Sequence, residues 1–167
     1  LENKREGGFN PFPSTYNERL IEAAESLPEV DGDAAVESGR TDLRHLPFVT
    51  IDPHDAKDFD DAVCLVEANG RRTLWVGIAD VAHYVRPGTT LDASARNRAT
   101  SVYLPHAVLP MLPPKLADEL CSLRAEVDRF SMVVAMHLNE ANEIESTEAY
   151  EAVINVKRNL AYEDALG

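Results

Sequence analysis

The chain has 167 residues, 44% hydrophobic and 27% charged, a composition ordinary for one globular core. No apolar run approaches the roughly 18 residues of a membrane helix. A formal net charge of −13 has the wrong sign for a chain that holds nucleic acid tightly by itself, because nonspecific affinity comes from lysines and arginines that neutralise phosphates.

The chain opens at Leu1 rather than Met, as expected of a fragment or processed product, and polar Leu1–Glu6 with no apolar stretch behind it gives no signal-peptide pattern. Gly7-Gly8 and Phe9-Asn10-Pro11-Phe12-Pro13-Ser14 predict an irregular lead-in over residues 1–16. Asn17 or Thr15 can cap a helix through Glu18–Leu27, with Leu20, Ala24 and Leu27 on one face and Pro28 as its stop. Val30 to Gly39 reads as an acidic, small-residue linker. Residues 1–46 are thus expected to be lead-in and linker with one short helix.

From residue 47 onward the pattern predicts an α+β unit, a mixed and largely antiparallel sheet with flanking helices. Strands at Ala62–Ala68 and Arg72–Ile78 are joined by Asn69-Gly70, a strong two-residue hairpin signal. A short strand is expected at Val81–Val85, closed by Pro87-Gly88, and a helix opens at Thr90 or Asp92 and runs to about Thr100. Four prolines make Leu104–Pro114 an expected irregular connection, with Pro114 starting a helix through Leu120. Phe130–Leu138 alternates as a strand and returns through Asn139–Asn142 into Glu143–Val153, while Tyr162 to Gly167 begins a further element. Cys64 and Cys121 sit in apolar contexts outside any CxxC pattern and read as buried free thiols, which suits a cytoplasmic location.

The chemistry is concentrated in Asp52-Pro53-His54-Asp55-Ala56-Lys57-Asp58-Phe59-Asp60-Asp61, where five of ten residues are aspartates. Apolar Phe48–Ile51 precedes this stretch and Ala62–Val66 follows it, so the loop is pinned between two strands. Carboxylates held close repel one another, and a hard divalent cation is the usual compensation. An EF-hand fails: counted from Asp58, position 5 is Ala62, position 6 is Val63 and position 12 is Asn69. A solvated acidic turn is the competing reading. Phosphodiester hydrolysis needs charge neutralisation, an activated water and a stabilised leaving oxygen, which two metal ions about 3.5–4 Å apart can supply.

Thr50–Val63 resembles the signature of the ribonuclease II and ribonuclease R family of 3′→5′ exoribonucleases. The resemblance continues through Leu74–Val85, Arg96–Pro105, Leu109–Pro113 and Leu120–Leu123, and Gly39–Pro47 is closer to the ribonuclease R branch. It implies that residues 47–167 form the N-terminal part of an RNB-type catalytic domain. It further implies metal-dependent hydrolysis of single-stranded RNA to nucleoside 5′-monophosphates, with Mg²⁺, or Mn²⁺ in its place, as cofactor. Asp52, Asp58, Asp60 and Asp61 match the family's four acidic positions: Asp52 and Asp61 as direct ligands of the main Mg²⁺, Asp58 and Asp60 as positioning a second metal, water or the 3′ end. Tyr103 matches a tyrosine that stacks on a base, against the alternative of packing at a helix end. Asp55 falls outside the matched set and reads as solvated, with Lys57 balancing local charge.

Other polar residues read as structural. Asp80 is expected in a turn, His83, His106 and His137 show no metal spacing, and Trp75 and Tyr84 are expected on strands in the core. The resemblance implies partners outside the chain: the rest of the catalytic domain and OB-fold RNA-binding domains. Two functions therefore compete, a portion of an exoribonuclease that is inactive alone and a non-catalytic RNA-binding or regulatory module on a truncated nuclease domain. The retained set of four aspartates favours the first.

Overall fold

A computed structural model describes residues 15–104 and 107–165. The first fourteen residues of the lead-in expected over residues 1–16, Pro105, His106 and the last two residues lie outside the described residues. Helix α1 (Glu18–Glu25) is capped by Asn17, whose side chain accepts from the Leu20 amide at 2.9 Å, and it buries Leu20 and Ala24.

The linker expected at Val30–Gly39 is instead interrupted by helix α2 (Gly32–Glu37), capped by Asp31, which accepts from the Ala34 amide at 3.0 Å. Gly32 made the stretch look like linker, but its role is close approach: a Cβ there would run into Asp128 Oδ2. Arg44 ties this corner together, reaching Asp33, Asp42 and Asp128 at 2.8, 2.7 and 3.0 Å.

Nine strands follow among the described residues: β1 (Thr41–Asp42), β2 (Val49–Asp52), β3 (Asp61–Ala68), β4 (Arg71–Ala79), β5 (Val102–Leu104), β6 (Ala107–Leu109), β7 (Asp128–Leu138), β8 (Ile144–Asn155) and β9 (Arg158–Ala161). Seven form one sheet in the order β1-β8-β7-β4-β3-β2-β9. The outer pairs β1–β8 and β2–β9 are parallel and the inner pairs antiparallel, which is the mixed, largely antiparallel sheet expected. Asn69 and Gly70 both take positive φ, 53° and 73°, as the tight hairpin between β3 and β4 requires. The sheet also takes in residues from before position 47, since β1 pairs with β8 and Leu43 and Leu46 are buried.

Between β4 and β7 the chain makes two excursions that the sequence misplaces. Val81–Val85, expected as a strand, forms helix α3 (Val81–Tyr84), because Asp80 caps it by accepting from the His83 amide at 3.1 Å. Asp80 is buried and receives the Arg40 guanidinium at 2.5 Å, which gives it the structural role expected. Tyr84 is buried as expected but on this helix, while Trp75 is half-buried on β4 and stacks on Tyr150 at 5.9 Å.

Helix α4 (Thr90–Arg98) is capped by Thr89 and ends at Ala99 in the left-handed region. The connection expected to be irregular instead begins inside the separate hairpin β5–β6, since Pro110, Pro113 and Pro114 all follow its last paired residue, Leu109. After it, Lys115–Leu120 forms a π-helical turn rather than an α-helix, closed by the Cys121 amide on the Leu116 carbonyl at 2.9 Å. Helix α5 (Tyr162–Ala165) closes the described chain.

Most of the core lies on one side of the sheet, with Phe130 and Val153 buried on the other. Leu20, Ala24, Leu91, Leu116 and Leu120 from the helices join Ala62, Cys64, Ala79, Val133 and Ile154 from the strands. Both cysteines are buried and free. The opposite face is different: Ile51, Leu65, Ile78, Met132 and Val134 are exposed there, Leu65 to 57%. Register places Ile78 opposite Met132 and Val76 opposite Val134, so these side chains share a face.

Candidate active site

The acidic loop leaves the sheet at Asp52 and re-enters it at Asp61, so its two ends are fixed by antiparallel partners β2 and β3. Pro53 opens a turn closed by the Ala56 amide on its carbonyl at 3.0 Å. The second half is fixed from below. Buried Ser122 donates to the Lys57 carbonyl at 2.7 Å and accepts from the Phe59 amide at 3.1 Å. The Leu123 amide donates to the Phe59 carbonyl at 2.8 Å, and the Ala79 amide to the Asp60 carbonyl at 2.9 Å. Phe59 packs against the core, turning its acidic neighbours outward.

Asp52, Asp58 and Asp60 line one cavity of about 640 Å³, which Tyr103, Val108 and Asp118 also line. Asp61 does not line it; it stands exposed at the start of β3, paired in register with Ile78. Asp55, expected to be solvated and outside the matched set, is exposed 4.0 Å from His54 but lines the same cavity as the other three. His83 packs edge-on against Phe130 and His137 contacts Thr73 Oγ1 at 3.0 Å, so both are engaged within the fold.

Electrostatic strain in the loop is visible in its titration. Burial, then the charges of Asp61 and Asp58, push the Asp52 carboxyl up, with a hydrogen bond from Thr50 opposing the shift. Asp60 keeps solvent-exposed surface, yet close protein atoms desolvate it, and with Asp58, Asp61 and Asp52 they push its carboxyl up too. Among the described residues, the buried Oδ2 of Asp52 has no hydrogen-bond partner. A buried carboxylate oxygen without a donor is costly, and a hard cation is the ligand that would satisfy it. The donor chemistry and the charge therefore fit Mg²⁺ or Mn²⁺. Among the described residues, no three His, Cys, Asp or Glu side chains form a ready-made metal cage, so the arrangement is an open acidic patch.

Tyr103 is not packed at a helix end. It sits on β5, 66% exposed, and its hydroxyl donates to Asp58 Oδ2 at 2.8 Å. That bond first, then burial, pushes its phenol up to about 12.

Two contributors escape the sequence reading. Asp118, on the π-helical turn, enters the same cavity, and burial, then Asp58, push its carboxyl up. Ser122 anchors the loop backbone from the Leu120–Leu123 block. The signal available for both was their closeness to that block.

A model of the RNB domain matches residues 40–166. The chain is 47% identical over 152 residues to ribonuclease R of Vibrio parahaemolyticus, covering 90% of this chain and 18% of that protein. Among solved structures it superposes on Mycoplasma genitalium RNase R in complex with ribose-methylated single-stranded RNA. The TM-score is 0.85 at 34% identity, over 90% of this chain and 23% of that one. Yeast Ssd1, a pseudonuclease, shares the fold with a TM-score of 0.71 at 23% identity, over 83% of this chain and 17% of that one. The chain spans 18% of the length of ribonuclease R of Vibrio parahaemolyticus and of Escherichia coli.

Proposed function

Because the chain belongs to the RNB domain family, we propose that it supplies the acidic site of a 3′→5′ exoribonuclease that cleaves single-stranded RNA to nucleoside 5′-monophosphates. The observation that carries this reading is the buried Asp52 Oδ2, without a partner among the described residues, where burial and the neighbouring aspartates push the Asp52 and Asp60 carboxyls up. A solvated acidic turn would have no orphaned oxygen and little mutual repulsion.

In this reading Asp52, from the cavity, and Asp61, which stands outside its lining but close enough for its charge to raise the Asp52 pKa, would hold the principal divalent ion. Asp58 and Asp60 would orient a second ion, the attacking water or the 3′ end. When bound, such ions neutralise phosphate charge, lower the pKa of water and stabilise the leaving oxygen. The chain's own part is geometric. Ser122 and Leu123 fix the loop backbone, and β2 and β3 fix its ends. The β5–β6 hairpin places the exposed Tyr103 ring beside the acids, where a terminal base can stack on it.

Because the chain covers 18% of those two ribonuclease R proteins, RNA holding falls to the rest of the protein, in keeping with the −13 charge. The remainder of the catalytic domain and OB-fold domains are the proposed partners. A non-catalytic RNA-binding or regulatory module is the lesser reading, since such a module gains nothing by keeping a strained acidic loop.

The test is the full-length protein on 5′-labelled single-stranded RNA. Stepwise shortening from the 3′ end, release of nucleoside 5′-monophosphates and loss of activity in a chelator are expected. Internal cuts, or cleavage that survives the chelator, would contradict the proposal.

A further inference from the structure

We propose that Tyr103 is a positioning residue for Asp58, acting through its hydroxyl rather than only through its ring. The bond from Tyr103 Oη to Asp58 Oδ2, 2.8 Å long, joins positions 45 residues apart and spans two otherwise separate pieces of structure, the hairpin and the acidic loop.

Asp58 lines the same cavity as Asp52, Asp60 and Asp118, so its charge adds to theirs around one space. Left to itself, a carboxylate in that field rotates toward water and away from its neighbours. A hydroxyl bonded to one oxygen holds the group in place, and a phenol does so without cancelling its charge as lysine would. Oδ2 accepts from Tyr103, which leaves Oδ1 and the second lone pair of Oδ2 for a ligand.

The hairpin is built to deliver that hydroxyl. Its ring is 66% exposed, so burial does not set its direction. Its base, however, is fixed at several points. The Met111 amide donates to Ser101 Oγ at 3.0 Å. Arg98, buried at the end of α4, donates to the Pro110 carbonyl at 3.2 Å and to the Thr15 carbonyl at 3.1 Å. Tyr16 also donates to the Pro110 carbonyl, with the Arg98 guanidinium 4.0 Å over its ring. An arm so rooted can hold Asp58 against repulsion.

This inference rests on the metal-site reading above. The test compares Tyr103→Phe, which keeps the ring, with Tyr103→Ala in the full-length protein, measuring Mn²⁺ affinity by calorimetry without RNA. Thermal unfolding confirms that each variant is folded. The expected result is that both variants lose affinity by a similar factor of about ten, the scale of a hydrogen bond to a charged group, with unfolding midpoints near that of the parent. Tyr103→Phe that binds Mn²⁺ like the parent would overturn the positioning role and leave the metal site standing. A parent protein that takes up no Mn²⁺ would overturn both.

Discussion

Asp52 closes β2 and Asp61 opens β3, and the charge of Asp61 adds to burial in holding the Asp52 carboxyl above the ordinary carboxylate range. The pair brackets residues 53–60 and stores repulsion at the point where the loop joins the sheet. That repulsion has thermodynamic consequences of definite sign.

The first is in stability. A carboxyl whose folded pKa is raised opposes folding when ionised. The penalty is absent below the unfolded pKa, grows as pH rises through the folded value and is complete at neutrality. Asp52→Asn should therefore raise the unfolding midpoint at pH 7 by about 2 °C, and the gain should vanish below about pH 4. Differential scanning across that range decides it; a gain that persists in acid would show that charge is not the cause.

The second is in metal uptake. Asp52→Asn combined with Asp61→Asn should cost more Mn²⁺ affinity than the ~10–100-fold that loss of an outer partner costs. Unchanged affinity by calorimetry would remove the loop from metal binding.

Much of this arrangement was legible in the sequence. The Asn69-Gly70 hairpin, the long strand pair ending at Asn139–Asn142 and the cap at Asn17 all follow from local chemistry, which the tertiary structure then respects. Val81–Val85 was misread because an apolar run of that length suits strand or helix equally, and the deciding group, Asp80, acts through its cap and its long-range partner Arg40. The hairpin β5–β6 was hidden by prolines whose positions relative to the pairing only the register reveals. Asp118 and the Tyr103–Asp58 bond depend on segments far apart in sequence, which periodicity cannot bring together.

Asp80 offers a contrast with the loop aspartates. It and Arg40 are both buried, 7% and 13% exposed, and the guanidinium also lies 4.4 Å over Phe130. Asp80→Ala leaves that charge unpaired and should cost about 3–5 kcal/mol, read by urea unfolding. Mn²⁺ affinity of the folded fraction should not change; a parallel loss of affinity would assign Asp80 to the chemistry.

The uncovered face of the sheet bears on the 167-residue chain by itself. Ile51, Leu65, Ile78, Met132 and Val134 place five exposed apolar side chains on one face, the kind of surface that marks an interaction site. The isolated chain should self-associate, or bind the remainder of the domain, and show little or no exoribonuclease activity. A clean monomer by sedimentation that degrades RNA processively in Mg²⁺ would contradict this.

The central claim is that the acids act on the phosphodiester rather than shape the RNA site, and Asp60→Asn in the full-length protein tests it most directly. Asp60 enters the cavity beside Asp52 and Asp58 while its backbone is held by Ala79, so the substitution changes charge with little change in shape. RNA affinity and hydrolysis should be measured on the same 5′-labelled single strand. The account predicts hydrolysis reduced by at least about a hundredfold with RNA affinity retained; equal loss of both would contradict it.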